Sequence, residues 1–495
     1  MEKGVMMIEE RSAMRCAGLW ALPLLLVSQI GQAQSVSLTR DDFVQVSLQG
    51  FDGDRQNGYA WAMQWFNGQL LVGTDRAQNC TNQAQDHDAN PAVVYPPTDP
   101  DIYCPPLISE LPPLLQAEIW SWNPATGAWT RVFQSPLSVL VPGYKEYTAP
   151  DTGFRGMGVF TESDGTQALY VSGASASALW PKVPGARLLR STDGVNFNPV
   201  PQDAGTLLGD LHNQSFRDIV TYNGNFYIVA AAGFIDGAAG SSWQLLESAN
   251  PEQGDNAFQV IPPPVAGMQV SEIGVYNGYL YVAYRNEKTG FEVYYTNAQP
   301  PYTYTQVITN GGYATYPNHE ILHMLEYNGS LYLAGLGVDP NHPFSIGGAE
   351  LYRINSDNSW DLIVGTARST PNGEVTPLSG LGKGFGWNLN NQFWRMADYN
   401  GCLYVGTSDG STIFRYNPQF AALVAPELGA DLWSSCDGVH FSAIDINGFE
   451  DEYNYGFRTF SVTPYGLFVG TVNPYFGLQV WQGIPNASTM TPLKP

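Results

Sequence analysis

One recurring phrase constrains this chain more than any other feature. It is an alternating apolar run, then aromatic-Asn-Gly, then aromatic and aliphatic residues ending in small ones. It reads WAMQWFNGQLLVGT from Trp61, DIVTYNGNFYIVAA from Asp218, EIGVYNGYLYVAY from Glu272, HMLEYNGSLYLAG from His323 and RMADYNGCLYVGT from Arg395. Two looser copies, RGMGVFTESDGTQALYVSG from Arg155 and RTFSVTPYGLFVGT from Arg458, make seven. Asn-Gly accepts positive φ at both central turn positions, and the flanking period of two marks strands, so each copy is a β-hairpin. A second strand pair follows most hairpins, as in RLLRSTDGVNFNPV from Arg187 and DLWSSCDGVHFSAI from Asp431. Four strands per repeat predict an all-β fold, a seven-bladed β-propeller of four-stranded antiparallel blades. The last repeat offers only three strands. DFVQVSLQ from Asp42 is expected to be its fourth, so that the N-terminal strand closes the last blade. The alternative is that residues 36–49 form a loose arm.

Ahead of the repeats, Lys3, Arg11 and Arg15 precede an apolar run over 16–30 and then Gly31-Gln32-Ala33. That order predicts a secretory signal peptide over 1–33, cleaved near Ala33. The run is shorter than the ~20 residues a membrane span needs. Residues 34–495 are then a single domain, secreted or periplasmic, with no integral membrane segment after processing, and expected to be a monomer. A net charge of −23 disfavours nucleic acid as a partner. Cys80, Cys104, Cys402 and Cys436 remain after processing, and an even count in an exported chain favours disulfides. Cys402 and Cys436 flank hairpin turns at the same end of one blade and should bridge. Cys80 and Cys104 bracket a Pro- and Asp-rich insertion at about 77–115, a long loop without a core that their pairing would staple.

His319-Glu320-Ile321-Leu322-His323 matches the H-E-x-x-H zinc pattern. It stands where the other repeats place strand, and residues four apart on a strand are separated by about 13 Å. Two such nitrogens cannot both reach one zinc at ~2.1 Å, so no metal is assigned. Aligned on the repeat, the first strands place Trp61, Arg155, Arg217, Glu272, His323, Arg395 and Arg458 in equivalent positions. Four residues earlier come Asn57, Asp151, Asn213, His319, Asn391 and Asn454. First strands border the central channel of a propeller, so these residues should ring one mouth of it. A one-residue slip would reverse the face. Four arginines in such a ring form an anion site, or else each pairs with a carboxylate such as Asp218, Glu272, Glu320 or Asp398. Asp86, Asp88, Asp99 and Asp101 match no calcium loop and read as solvated loop carboxylates.

Ser191–Phe197 and Ser435–Phe441 resemble a shortened Asp-box of sialidases, which in that family is a structural turn. Phe154-Arg155, Phe216-Arg217 and Phe457-Arg458 resemble the sialidase Phe-Arg pair, which implies carboxylate binding by the arginine. Seven repeats and the lack of an assignable Tyr-Glu pair depart from that family. NGYAWAMQWFNGQLLVGTDR, FRGMGVF, YNYGFRTFSV and GLFVGTVNPYFGLQVW resemble a family of exported bacterial β-propeller proteins over nearly the whole mature chain. That resemblance implies architecture and export and supplies no catalytic residues. The expected function is binding of an extracellular glycan or small anionic ligand at the channel mouth, with no cofactor. Two alternatives stand beside it: a lyase or glycosidase acting on acidic polysaccharides, and a structural surface protein.

Overall fold

The computed structural model describes residues 35–231, 243–314, 318–337 and 347–485. The signal-peptide assignment lies outside them. The described residues form an all-β propeller built from antiparallel hairpins, each extended outward by further strands. The leading hairpins are Asn57–Phe66 with Gln69–Arg76, Gly153–Thr161 with Gln167–Ala174, and Ser215–Tyr222 with Asn225–Ala231. Then follow Gln269–Tyr276 with Tyr279–Arg285, Ile321–Tyr327 with Ser330–Gly335, Asn390–Tyr399 with Cys402–Asp409, and Gly456–Thr463 with Gly466–Val472. At the five Asn-Gly turns both residues sit at positive φ, for example Asn67 at 48° and Gly68 at 75°. That is the twist which joins two strands directly.

Outer strands pair onto each hairpin, as Glu118–Trp122 and Trp129–Gln134 do on the first. On the last hairpin, Val480–Gly483 is followed by Phe43–Gln45, paired antiparallel with Phe43 opposite Gly483. Each first strand packs beside the first strand of the next hairpin, and that of the last packs beside that of the first. The core lies between neighbouring hairpins. Tyr276, Tyr281 and Val293 pack against Met324, Leu333 and Tyr352, and Ala60, Val72 and Trp120 pack against Phe468 and Val480.

Buried side-chain amides stitch the repeats. Asn57 Nδ2 donates to Glu118 Oε2 at 2.8 Å, Asn318 Nδ2 to Glu350 Oε2 at 2.8 Å, Asn390 Nδ2 to Asp431 Oδ2 at 2.7 Å and Asn454 Nδ2 to Gln479 Oε1 at 2.9 Å. The backbone carbonyls of these residues accept from the preceding repeat, as Asn454 O does from Ala430 N–H at 2.8 Å and Asn57 O from Leu478 N–H at 2.7 Å. The alignment put His319 and Asn391 in this set, but the residues that do this work are Asn318 and Asn390, one position earlier. The set is buried packing rather than a ring at the mouth.

Both anticipated disulfides form, Cys80–Cys104 and Cys402–Cys436. The insertion, in contrast, is not a coreless loop. It contains a helix, Gln78–Ala89, whose Cys80 and Ala84 are buried with Leu111, Leu115, Leu179 and Trp180. Asp99 and Asp101 are not simply solvated either. Arg415 Nη2 reaches Asp99 at 2.6 Å and Asp101 at 3.0 Å.

Candidate functional site

Every first strand carries a β-bulge, and the bulges create the site. The register shifts at Trp61, Arg155, Arg217, Ser271, Leu322, Trp394 and Arg458. In the five Asn-Gly hairpins the bulge lies six residues before the turn Asn: Trp61 to Asn67, Arg217 to Asn223, Ser271 to Asn277, Leu322 to Asn328, and Trp394 to Asn400. A bulge adds one residue to the strand and turns two consecutive side chains toward one side. The single ring expected from the sequence is therefore two layers.

The bulge layer faces a cavity of about 640 Å³, lined by Trp61, Arg155, Arg217, Leu322, Trp394 and Arg458. The following layer, Ala62, Gly156, Asp218, His323, Arg395 and Thr459, faces a smaller cavity of about 130 Å³. Trp61, Arg155, Asp218 and Arg395 line both and mark their boundary. Glu272 and Arg395 follow the bulge rather than occupy it. Glu272 is buried behind Asp218, and His319 lines neither cavity.

The four arginines are held in two ways. Arg217 Nη1 lies 2.5 Å from Glu320 Oε1, and Arg395 Nη2 lies 2.5 Å from Asp218 Oδ1. Arg155 and Arg458 are carried on aromatic rings, as Arg217 also is on Trp243 at 4.0 Å, and Arg155 Nη1 donates to Ser215 Oγ at 3.3 Å. Arg155 lies 5.2 Å from the Trp61 ring centroid and Arg458 lies 4.9 Å from that of Trp394. One sequence device builds both contacts. Gly153-Phe154-Arg155 and Gly456-Phe457-Arg458 each follow a repeat with Trp at its bulge, and the glycine leaves room for the indole. A Cβ at Gly153 would lie 2.4 Å from Trp61, and one at Gly456 would lie 2.2 Å from Trp394. Tyr59 and Tyr455, hydrogen-bonded through their hydroxyls, complete an aromatic wall between the two tryptophans.

Asp218 is held well below the usual carboxylate range: burial opposes this, but the Arg395 guanidinium prevails. Burial likewise opposes ionisation of Glu320, and Arg217 and Arg285 more than offset it. Glu272 shares a hydrogen bond with Asp218, and burial beside that carboxylate pushes it well up. Burial also raises Asp75, whose Oδ2 has no hydrogen-bond partner among the described residues. The Arg458 guanidinium also faces the large cavity. Arg458 is 4% exposed, makes no ion pair among the described residues, and leaves its Nε without a partner. Burial and the neighbouring Arg395 bring it down to about 9.

Two of the H-E-x-x-H residues, His323 and Glu320, bond to neighbours within this arrangement. His323 lies in a strand and its Nδ1 accepts from Met396 N–H at 3.1 Å. Burial and Arg395 press His323 down to about 3, so it is neutral. Glu320 is taken by Arg217. Asp193 and Asp437 of the shortened Asp-boxes each accept two backbone N–H groups of their own turns.

Sequence reasoning missed the opposite side of the cavity. Gln78, Asn79, Asn82, Gln85 and Asp86 of the insertion helix roof it, and Asp409, Thr412 and Ile413 close one flank. Asp409 is buried, accepts from Trp387 Nε1 at 2.8 Å, and is pushed up by burial to about 7. The repeated polar residues at 78, 79, 82, 85 and 86 were the available signal, since they share one helical face.

No protein-family model and no curated protein matches the chain. Among solved structures, a puromycin-hydrolysing peptidase of Mycobacterium tuberculosis aligns over 86% of this chain and 52% of its own, at 12% identity and TM-score 0.44. This chain thus spans about half that peptidase's length. An exo-β-1,3-galactanase from Phanerochaete chrysosporium aligns over 64% of this chain and 68% of its own, at 12% identity and TM-score 0.32. The arabinanase Arb43A of Bacillus subtilis aligns over 51% and 91%, at 16% identity and TM-score 0.29.

Proposed function

We propose that this chain is an exported, monomeric seven-bladed β-propeller that binds an anionic glycan in the cavity beneath the insertion helix. The cyclic packing of first strands and the pairing of Phe43–Gln45 with Val480–Gly483 support a ring of seven blades closed by the N-terminal strand. The basic, apolar and small-residue order of residues 1–33, with two disulfides, supports export. The observation that carries the binding reading is Arg458. It is a buried guanidinium with no ion-paired carboxylate among the described residues, seated on Trp394 and lining a cavity of about 640 Å³. An anion there would complete its hydrogen bonds and offset the repulsion among the arginines. Arg155, seated on Trp61, lines the same cavity. Titration calorimetry against sugar acids tests the reading. Wild type binds and Arg458→Gln weakens binding at least tenfold; equal affinity of the two proteins would refute the assignment.

Asp409 favours a second reading, an enzyme acting on acidic glycans. A carboxyl that titrates near 7 and lines the cavity suits proton transfer at neutral pH. Incubation with uronate polymers, following unsaturated or reducing ends, tests it. Product formation that Asp409→Asn abolishes is the expected result for an enzyme, and no product from any polymer leaves the binding reading alone.

A further inference from the structure

The roof of the cavity has a composition of its own. Gln78, Asn79, Asn82, Gln85 and Asp86 form one stripe along the Gln78–Ala89 helix, and all five line the large cavity. Gln78, Asn82 and Gln85 also border the recess beside Asp75 and Arg155. Within the stripe, Gln78 Nε2 donates to Asn82 Oδ1 at 2.6 Å and Asn79 Nδ2 reaches Pro474 O at 3.5 Å. The Asn82 amide nitrogen and the Gln85 side chain have no protein hydrogen bond among the described residues. Residues off the stripe fix the helix in place. Cys80 is covalently tied to Cys104, Gln83 Nε2 donates to Val94 O at 2.5 Å, and His87 Nδ1 lies 2.6 Å from Val93 O.

A second fastening holds the far end of the insertion. Asp99 and Asp101 pair with Arg415, and the hydroxyls of Tyr416 and Tyr453 donate to Asp101 at 2.6 and 3.0 Å. Arg415 belongs to the loop whose Thr412 and Ile413 line the same cavity. On the opposite side, the Arg395–Asp218 pair stands at the boundary with the smaller cavity. A carboxamide both donates and accepts, as a sugar hydroxyl does, whereas a guanidinium only donates. The cavity thus has a roof of four carboxamides and one carboxylate, Asp86, over a cationic, aromatic wall, with an ion-paired layer at its boundary with the smaller cavity.

We infer that the helix stripe, chiefly Asn82 and Gln85, reads the hydroxyls of a sugar whose carboxylate is held at Arg458, so that the site takes the acid-bearing end of a short oligosaccharide. This rests on the anion-binding reading and extends it to ligand class and binding mode. The roof is fastened by a disulfide and an ion-pair cluster, and a layer of paired charges lies at the boundary with the smaller cavity, an arrangement that suits a short chain end. The cavity volume lies in the range of small-ligand sites, about 300–1,000 Å³.

The experiment is titration calorimetry of the full mature chain with galacturonate, glucuronate and N-acetylneuraminate in chains of one to six units. Their long polymers and citrate, a carboxylate without a sugar, complete the set. Wild type should prefer short oligosaccharides over polymer at equal concentration of chain units. Asn82→Ala/Gln85→Ala should weaken the best oligosaccharide about 30-fold, the loss expected for two neutral hydrogen-bonding side chains, and leave citrate within twofold. Both positions are on the helix surface, so folding is checked by an unchanged melting curve. Equal weakening of citrate and sugar, no weakening, or polymer bound as well as oligosaccharide would overturn the inference and leave anion binding standing. Absence of binding by every sugar acid and by citrate would remove both.

Discussion

The two disulfides close loops of similar length, yet the structure predicts that their removal will be felt in different places. Cys80–Cys104 spans a sequence separation of 24 and Cys402–Cys436 one of 34. Loop-closure entropy assigns them about 3.5 and about 3.8 kcal/mol, nearly the same. Cys402, however, is fully buried in the Cys402–Asp409 strand, among Tyr404, Leu432 and Phe457. Its partner precedes the shortened Asp-box turn, and neither can separate without opening the sheet. Cys80 belongs to a helix outside the sheets, rich in Asn and Gln, which are moderate to poor helix formers. A 12-residue helix of that kind is not stable alone and depends on its attachments. Without the bridge it can detach while the sheets stay folded. Cys402→Ser/Cys436→Ser should therefore lower Tm by about 4 °C, given the unfolding entropy of a chain this long. Cys80→Ser/Cys104→Ser should move Tm little but speed amide exchange over 78–89 by about 300-fold, the equivalent of 3.5 kcal/mol. The readouts are calorimetry and peptide-level hydrogen exchange. Equal Tm losses in the two variants, or unchanged exchange in the helix, would refute the distinction between a stapled roof and a stapled sheet.

Three further outcomes follow from the site. Glu320→Gln leaves Arg217 buried beside a neutral amide. The pair is 5% and 3% exposed in its side chains, so urea unfolding should show a loss of about 3–5 kcal/mol. Asp431 is raised to about 8 by burial, against about 3.9 in an unfolded chain. Between those values the folded state holds a proton the unfolded state has lost, so wild-type stability falls as pH rises through the window. Asp431→Asn does not ionise, and its Tm advantage should grow from pH 4.5 to pH 8.5 and then level off; a constant difference would contradict the assignment. Gly456→Ala would place a Cβ 2.2 Å from the Trp394 ring, and should shift tryptophan fluorescence and weaken anion binding while Arg458 itself remains.

Much of this molecule is legible in the order of its residues. Asn-Gly at a tight turn and a period of two are local rules, and they identify the hairpins. Cysteine placement relative to those turns gives Cys402–Cys436, and the bracketing of the insertion gives Cys80–Cys104. The arginines were visible too, because positions in a repeat stay equivalent whether or not neighbours are known. Which way each side chain points was not visible. The bulge at Trp61, Arg155 and their counterparts inserts one residue without any change in residue type. Alignment by pattern therefore placed Glu272, His323 and Arg395 in one ring with Trp61 and Arg217, where the structure forms two layers. Counting back from each turn Asn would have separated them. The remaining features belong to tertiary structure alone. A carboxylate partner for Arg217 and Arg395, but a ring for Arg458, follows from which blade lies beside which. The Gln78–Ala89 helix, weak by its own composition, is ordered by a disulfide and by packing against residues far along the chain. Local sequence determined the hairpins and the supply of cations; only the packing of distant segments decided where Arg458 stands without an ion pair among the described residues and what covers it.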